Sequence, residues 1–420
     1  MNRFTLIIIG IIGFILIIGI LFAFGVGRNP PSPVPVTLEF WGFGDDETIW
    51  SPLLDAFHTA NPAITVRYKR MTEATYEDTL VNRLAAGTGP DIFLLKNLWL
   101  GRERDKIAVL PAVSSPLSPT QFRATFVDGA DALVAGDGSL IGTPLAMDSL
   151  ALFYNKDIFD AAGIAKPPAT WDEFAAISRV LTKIAANGDI IKSGAALGTA
   201  KNVPYALELA SALMLQKKDA IVARSGQVDF QHGAGQAMEF YASFADRSNQ
   251  NFSWTARMPF AHDAFAQGDA AMAFGTSRDL PRIILKNPHL NFGVAALPQF
   301  AGAVARTFGI YTFPAVSRMS RHPTEAWQFA LFATSREGAG LYLGATGSPP
   351  ARRDLIAAVP QSGAAGVFAR QALIARDWLI PDEAAVRRIW GDAIDSIASG
   401  AYSPLAGLGR ISEQMRLLLP

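Results

Sequence analysis

Between Val36 and Leu95 the chain alternates strand-like apolar runs with helical ones, and few folds are open to a chain that does this. Val36 to Trp41 alternates as a strand and runs into Gly42-Phe43-Gly44-Asp45-Asp46. Helical spacing follows, with Ile49, Leu53 and Phe57 on one face and Ser51-Pro52 reading as a cap and restart. Asn61-Pro62 turns the chain into a second strand, Ile64 to Tyr68, and a second helix carries Tyr76, Leu80 and Leu84. Gly87-Thr88-Gly89-Pro90 then leads into a third strand, Asp91 to Leu95. This β-α-β-α-β order predicts an open α/β sheet with right-handed crossovers. Ligands of such sheets sit beyond the carboxyl ends of the strands. The sequence delivers Trp41, Asp45 and Asp46 there from the first strand, and Lys96, Asn97 and Trp99 from the third.

The stretch from Leu140 to Phe174 is the densest in placed chemistry. A Gly142-Thr143-Pro144 turn precedes a strand-like run, Leu150 to Tyr154, with the carboxylate of Asp148 between them. A short helical run stops at Gly163, and a Pro-Pro linker leads to Thr170-Trp171-Asp172-Glu173-Phe174. That is a helix start, with threonine capping and acids in the first turn. Trp171 reads as a residue packing this start onto the core. Further on, Ala264 to Gly275 reads as a helix end, a glycine turn and a buried strand. Thr276 to Leu285 reads as a helix, Asn291 to Leu297 as a strand, and Glu325–Phe332 and Asp382–Ser399 as amphipathic helices.

At 420 residues the chain is too long for one ordinary core, so two lobes are expected. Lys plus Arg and Asp plus Glu both number 37, and no basic tract is long enough to track phosphates, which argues against a nucleic-acid partner. With no cysteine, disulfides, thiolate metal sites and a lipidated cysteine are excluded. Leu6 to Val26 is apolar without a charge, about 31 Å as a helix at ~1.5 Å per residue, enough to span a bilayer. It reads as an uncleaved N-terminal transmembrane helix (6–26) behind a short segment (1–5), the alternative being a cleaved secretory signal. Residues 27–36 form a stiff proline-rich linker, and the bulk of the chain is expected outside the membrane.

Enzyme signatures are missing: there is no HExxH, GxSxG, Walker A or SxxK. His58, His232, His262, His289 and His322 are dispersed without metal-ligand spacing, so neither a metal nor a cofactor is expected. Gly42-Phe43-Gly44 begins like a dinucleotide loop, but Asp45 and Asp46 would repel phosphate. Carboxylates beside an aromatic suit a hydroxyl-rich ligand, because ionised oxygens accept strong O–H bonds and an aromatic face offers apolar area to a sugar ring. Trp41 with Asp45 and Asp46 reads in that way, or as a core tryptophan beside a helix-capping acid pair. Asp148 reads as a ligand contact or as a turn acid.

The residues quoted so far, taken together, resemble the extracellular solute-binding protein family 1, the maltose/sugar-type binding proteins of ABC importers. The resemblance covers essentially all of 37–420. It runs through TLEFWGFGDD, LAAGTGPDIFLL, LIGTPLAMDSLALFYNKDIFDAAGIAKPPATWDEF, FAQGDAAMAFG, NFGVAALP and GAGLYLGATGSPPARRDL, in the family's order. It implies a two-lobed periplasmic-binding-protein fold, two open α/β sheets joined by a hinge, with solute gripped in the cleft and no covalent chemistry. The implied N-lobe is 37–145 plus 280–315 and the C-lobe 146–279 plus 316–420, with crossovers near 142–150, 275–282 and 310–325. By position Trp41, Asp45, Asp46, Lys96, Asn97 and Asp148 fall where the family places ligand contacts, and Tyr205 reaches in from the C-lobe. Ser277 and Arg278 stand where sugar-binding relatives often carry a tryptophan. A guanidinium there suits an anionic solute such as a uronate, unless Asp279 or a hinge acid ties it up. Trp390 lies in a region that bears ligand aromatics in relatives, with its register shifted. The resemblance implies a monomeric receptor that delivers a mono- or oligosaccharide to ABC permease subunits. Without a cysteine for the family's usual lipid tether, the N-terminal helix is expected to anchor it to the membrane, or the protein is released. The alternative is a sensory or scaffolding module of the same fold.

Overall fold

The computed structural model describes residues 34–217, 221, 230 and 233–419. The expected membrane span, 6–26, lies outside the described residues, and among those no helix is long and apolar enough to cross a membrane.

Strands β1 (Val36–Phe43), β2 (Ile64–Met71) and β3 (Ile92–Lys96) pair in parallel with β1 central. Helices Glu47–Ala60 and Glu73–Ala85 make the crossovers, as the periodicity predicts. The expected restart at Pro52 does not occur. The proline sits inside one continuous helix, close enough to its start that the lost N–H costs a single bond to an early turn.

Further along come β4 (Ala146–Ser149) and β5 (Ala151–Asn155), a small hairpin of β6 (Lys183–Ile184) and β7 (Ile190–Lys192), then β8 (Met272–Gly275) and β9 (Phe292–Ala296). The long β10 (Thr307–Val316) and the short β11 (Ala375–Arg376) complete the set. The larger sheet runs β11-β10-β3-β1-β2, with β4 also paired to β10. The smaller sheet is β8-β5-β9, all antiparallel.

Each sheet has its own apolar core. In the first, Phe40 meets Trp50 edge-on at 4.8 Å and Trp50 lies 4.7 Å from Tyr342, so helix Arg336–Thr346 is tied to β1. In the second, Trp171 meets Phe174 at 5.5 Å and Phe274 at 5.7 Å. Burying each such ring is worth roughly 1.5–3 kcal/mol, with about 0.5–1.5 kcal/mol more for well-placed aromatic pairs. Thr170 caps helix Trp171–Leu181 in a full capping box with Glu173, as expected from the sequence.

The chain divides between the cores differently from the sequence expectation. Ile283 and Leu297 pack in the second core, and β9 pairs with β5, so 280–306 does not join the first sheet. Trp327, Phe329, Tyr342 and Ile356 pack in the first core, although 316–420 was expected in the other lobe. The reason is strand β10. Its start, Thr307–Phe308, pairs with β11, Gly309–Thr312 pairs with β4, and Thr312–Val316 lies antiparallel to β3. The strand thus carries the chain from the second core, which holds Phe308, into the first, which holds Tyr311 and Phe313. The other passages fall between Ser149 and Ala151, at the end of the expected 142–150 crossover, and after β11, between Ala375 of the first core and Trp378 of the second. No passage occurs at 275–282, where Phe274 and Ile283 share the second core.

Candidate functional site

A cleft of about 230 Å³ opens between the two cores. From the first core it receives Phe43 and Lys96, at the carboxyl ends of β1 and β3, together with Glu73 from a helix start. Asp148 of β4 and Thr312 of β10 form its floor. Tyr205, Thr276, Arg278, Glu383 and Arg387 close it from the second. The position agrees with the general rule for open α/β sheets.

Asp148 lies at the passage between the cores and is held from the far side. The Ser277 amide donates to its Oδ1 at 3.1 Å and the Ser277 hydroxyl to its Oδ2 at 2.7 Å. The Ser149 amide also donates to Oδ1, at 2.8 Å. Burial pushes the carboxyl pKa up, and these three donors work against that by favouring the ionised form.

Most other cleft ions are paired. Lys96 donates to Glu73 at 3.0 Å and stands over the Trp99 ring at 4.3 Å. Arg387 forks onto the fully buried Glu208 and donates to Glu383 at 2.8 Å. Tyr205, the N-cap of helix Ala206–Gln216, adopts φ 60 and ψ 26, the one left-handed non-glycine conformation among the described residues. Such strain marks a residue held by its surroundings. Its hydroxyl lies 3.3 Å from that of Thr276, and burial followed by Asp279 keeps the phenol protonated.

Arg278 is different. It is exposed within the cleft and, among the described residues, makes no hydrogen bond or ion pair. Asp279 does not neutralise it: that carboxylate accepts from the Thr276 amide at 2.8 Å and hydroxyl at 3.1 Å, and faces His262 at 3.6 Å.

Of the residues singled out from sequence, the cleft wall therefore gathers Lys96, Asp148, Tyr205 and Arg278, with Ser277 bonded behind Asp148. The others lie elsewhere. Trp41 is only 7% exposed, with Lys69 5.3 Å above its ring, and its backbone carbonyl accepts from the Tyr76 hydroxyl at 3.0 Å. Asp45 accepts from the Tyr342 hydroxyl at 2.7 Å, and Asp46 pairs with Arg70 at the surface. Asn97 is a buried clasp: its amide donates to the Gly309 carbonyl at 3.0 Å and to Asp377 at 2.7 Å, and its oxygen accepts from the Tyr311 amide at 3.0 Å. Trp390 is fully buried against Met415, and Trp171 is core, as read. All eight tryptophans are less than 9% exposed, so none offers the cleft a stacking face.

Sequence reasoning missed Phe43, Glu73, Glu383, Arg387 and Glu208. Two signals were available: a lone acid, Glu208, in the otherwise apolar Ala206–Met214 run, and a Glu383/Arg387 pair at helical spacing. Their convergence depends on contacts 179 residues apart.

Two α/β layers with separate cores and a polar cleft between them define a two-lobed binding protein. The sequence model described as bacterial extracellular solute-binding protein matches residues 42–340, and the chain belongs to that family. A Brucella abortus (strain 2308) protein described only as a binding protein is 26% identical over 287 residues, covering 67% of each chain. Among solved structures, a cyclo/maltodextrin-binding protein complexed with maltotetraose superposes with TM-score 0.76 at 21% identity, covering 92% of this chain and 98% of that one. The sugar-binding protein MalE of Xanthomonas citri gives TM-score 0.76 at 19% identity, covering 91% and 97%. The family and the fold are those of substrate-binding proteins rather than enzymes, and the family places the folded part outside the cytoplasm.

Proposed function

We propose that the chain is the solute receptor of an ABC importer, binding a mono- or oligosaccharide between its lobes and delivering it to a permease. The observation that carries this reading is the cleft itself, which both cores line with hydrogen-bonding groups, the first in part from the carboxyl end of its parallel strand β3. Thr312 contributes a hydroxyl with no partner among the described residues. The contacts in this reading are Lys96, Asp148, Tyr205, Ser277 and Arg278, with Asp45 steadying the rim. The two cores are the two lobes, joined through β10, the β4–β5 passage and the stretch after β11. A solute touching both lobes favours their closed arrangement, and a solute indifferent to it shifts nothing. The receptor works as a monomer tethered by the apolar segment 6–26, whose length suits a bilayer span.

Thermal unfolding of the full chain against a panel of sugars tests this reading. A sugar at a hundredfold its dissociation constant adds about 2.7 kcal/mol, a rise of about 3 °C for a chain this size. No shift across the panel, in protein shown to be folded and free of carried-over solute, overturns the carbohydrate reading in favour of a sensory or scaffolding role.

A further inference from the structure

We infer that the solute carries a carboxylate, and that Arg278 receives it, so that the receptor takes a sugar acid of about one ring in size. This rests on the receptor reading above and goes beyond it in naming the substrate class.

The first argument is pairing. Lys96 is spent on Glu73 and Arg387 on Glu208 and Glu383. Asp148 already accepts three donors, and Asp45 accepts from Tyr342. Arg278 alone among the cleft's ions has no direct partner among the described residues, and its sequence neighbour Asp279 is committed to Thr276. Asp45 and Asp148 contribute attraction through space but neither bonds to it. A guanidinium offers a planar fork of donors that matches a carboxylate in two parallel bonds. The preference is local, since the lining cations and carboxylates are balanced in number.

The second argument is placement. The opposite lobe approaches Arg278 through Gly44, whose φ is +82 and where an added Cβ would come within 3.2 Å of Nη1. The guanidinium is thus set between the lobes, where a ligand on it reports closure.

The third argument is size. About 230 Å³ falls below the ~300–1,000 Å³ of pockets for drug-sized ligands, and no tryptophan platform extends the site for a longer chain of sugars.

The test uses the full-length chain in mild detergent, with D-glucuronate, D-galacturonate and D-mannuronate set against D-glucose, D-galactose and D-mannose. Titration calorimetry and thermal unfolding are read together. The expected result is that at least one uronate binds tenfold or more tighter than its neutral partner. Arg278→Gln then removes that preference while the ligand-free melting temperature stays within about two degrees. A neutral sugar binding within threefold of its uronate overturns the inference and leaves the sugar-receptor reading standing. Binding by succinate or citrate without any of the six sugars overturns the sugar reading along with it. Binding by none of these probes overturns the inference and leaves the receptor reading to the wider sugar panel, which includes oligosaccharides. A retained uronate preference in folded Arg278→Gln protein overturns the assignment to Arg278.

Discussion

Ser277 gives both its amide and its hydroxyl to the carboxylate of Asp148, at 3.1 and 2.7 Å, so one serine of the second core clamps an acid on a strand of the first sheet. The acid is thereby already satisfied without solute, and a ligand hydroxyl must join or replace those donors. Burial raises the Asp148 pKa, so the fold itself disfavours the charge. Asp148→Asn is expected to melt at or above the temperature of the parent protein while losing at least tenfold in solute affinity. Calorimetry beside a melting curve checks it, and unchanged affinity would remove Asp148 from the site.

Trp41 is a core residue in this structure, and its truncation is expected to act on stability. Trp41→Ala should cost about 3–5 kcal/mol, the range for emptying a buried aromatic site. Denaturant unfolding measures this. A loss below about 1 kcal/mol would show that the ring is not packed as described.

Gly44 combines a left-handed backbone with a close approach to Arg278. Gly44→Ala is expected to cost about 1–2 kcal/mol from the backbone alone and to weaken solute binding by displacing the guanidinium. Full affinity in the alanine variant would show that the approach is not needed for closure.

A cluster around Arg102 contributes to the pH response. Arg102 meets Glu77 at 3.4 Å, Glu103 at 3.7 Å and Asp382, from the opposite lobe, at 3.9 Å. Burial first, then the neighbouring acids Glu103, Asp382 and Glu383, push the Glu77 carboxyl up to about 7, with Arg102 opposing. Between the ordinary 4.5 and about 7 the folded chain holds a proton that the unfolded chain has released. Stability therefore falls as pH rises through that window and is recovered on acidification. Glu77→Gln should flatten this slope and raise the melting temperature at pH 8. Melting curves from pH 4.5 to 8 check both, and an unchanged slope would show that Glu77 does not carry the effect.

Much of the fold was legible from local signals. The β1-to-β3 alternation, the capping box at Thr170 and the acid-capped helix Glu383–Ala398 all follow from residues within a few positions of one another. The lobe boundaries were not, because no local signal shows that Thr307–Val316 forms one strand bridging two cores. Of the candidate site residues on the cleft wall, Lys96 and Asp148 stand out locally, at a strand end and beside a turn, whereas Tyr205 and Arg278 enter only through the family resemblance. Phe43 was passed over for Trp41 because the two lie on the same face of β1, two residues apart, and the sequence does not say how far along the strand the cleft begins. The Glu208–Arg387 pair joins segments whose meeting only the assembled fold reveals.

β10 also governs when the chain can become a folded protein at all. The first core takes in Tyr311 and Phe313 and then residues as late as Ala375, and the second needs residues as late as Ile411 and Met415. A nascent chain that has reached residue 300 holds neither core in finished form. Non-local closure of this kind is slow, since the entropy of the loop must be lost before the contacts form. Neither core can therefore close until most of the chain has been made.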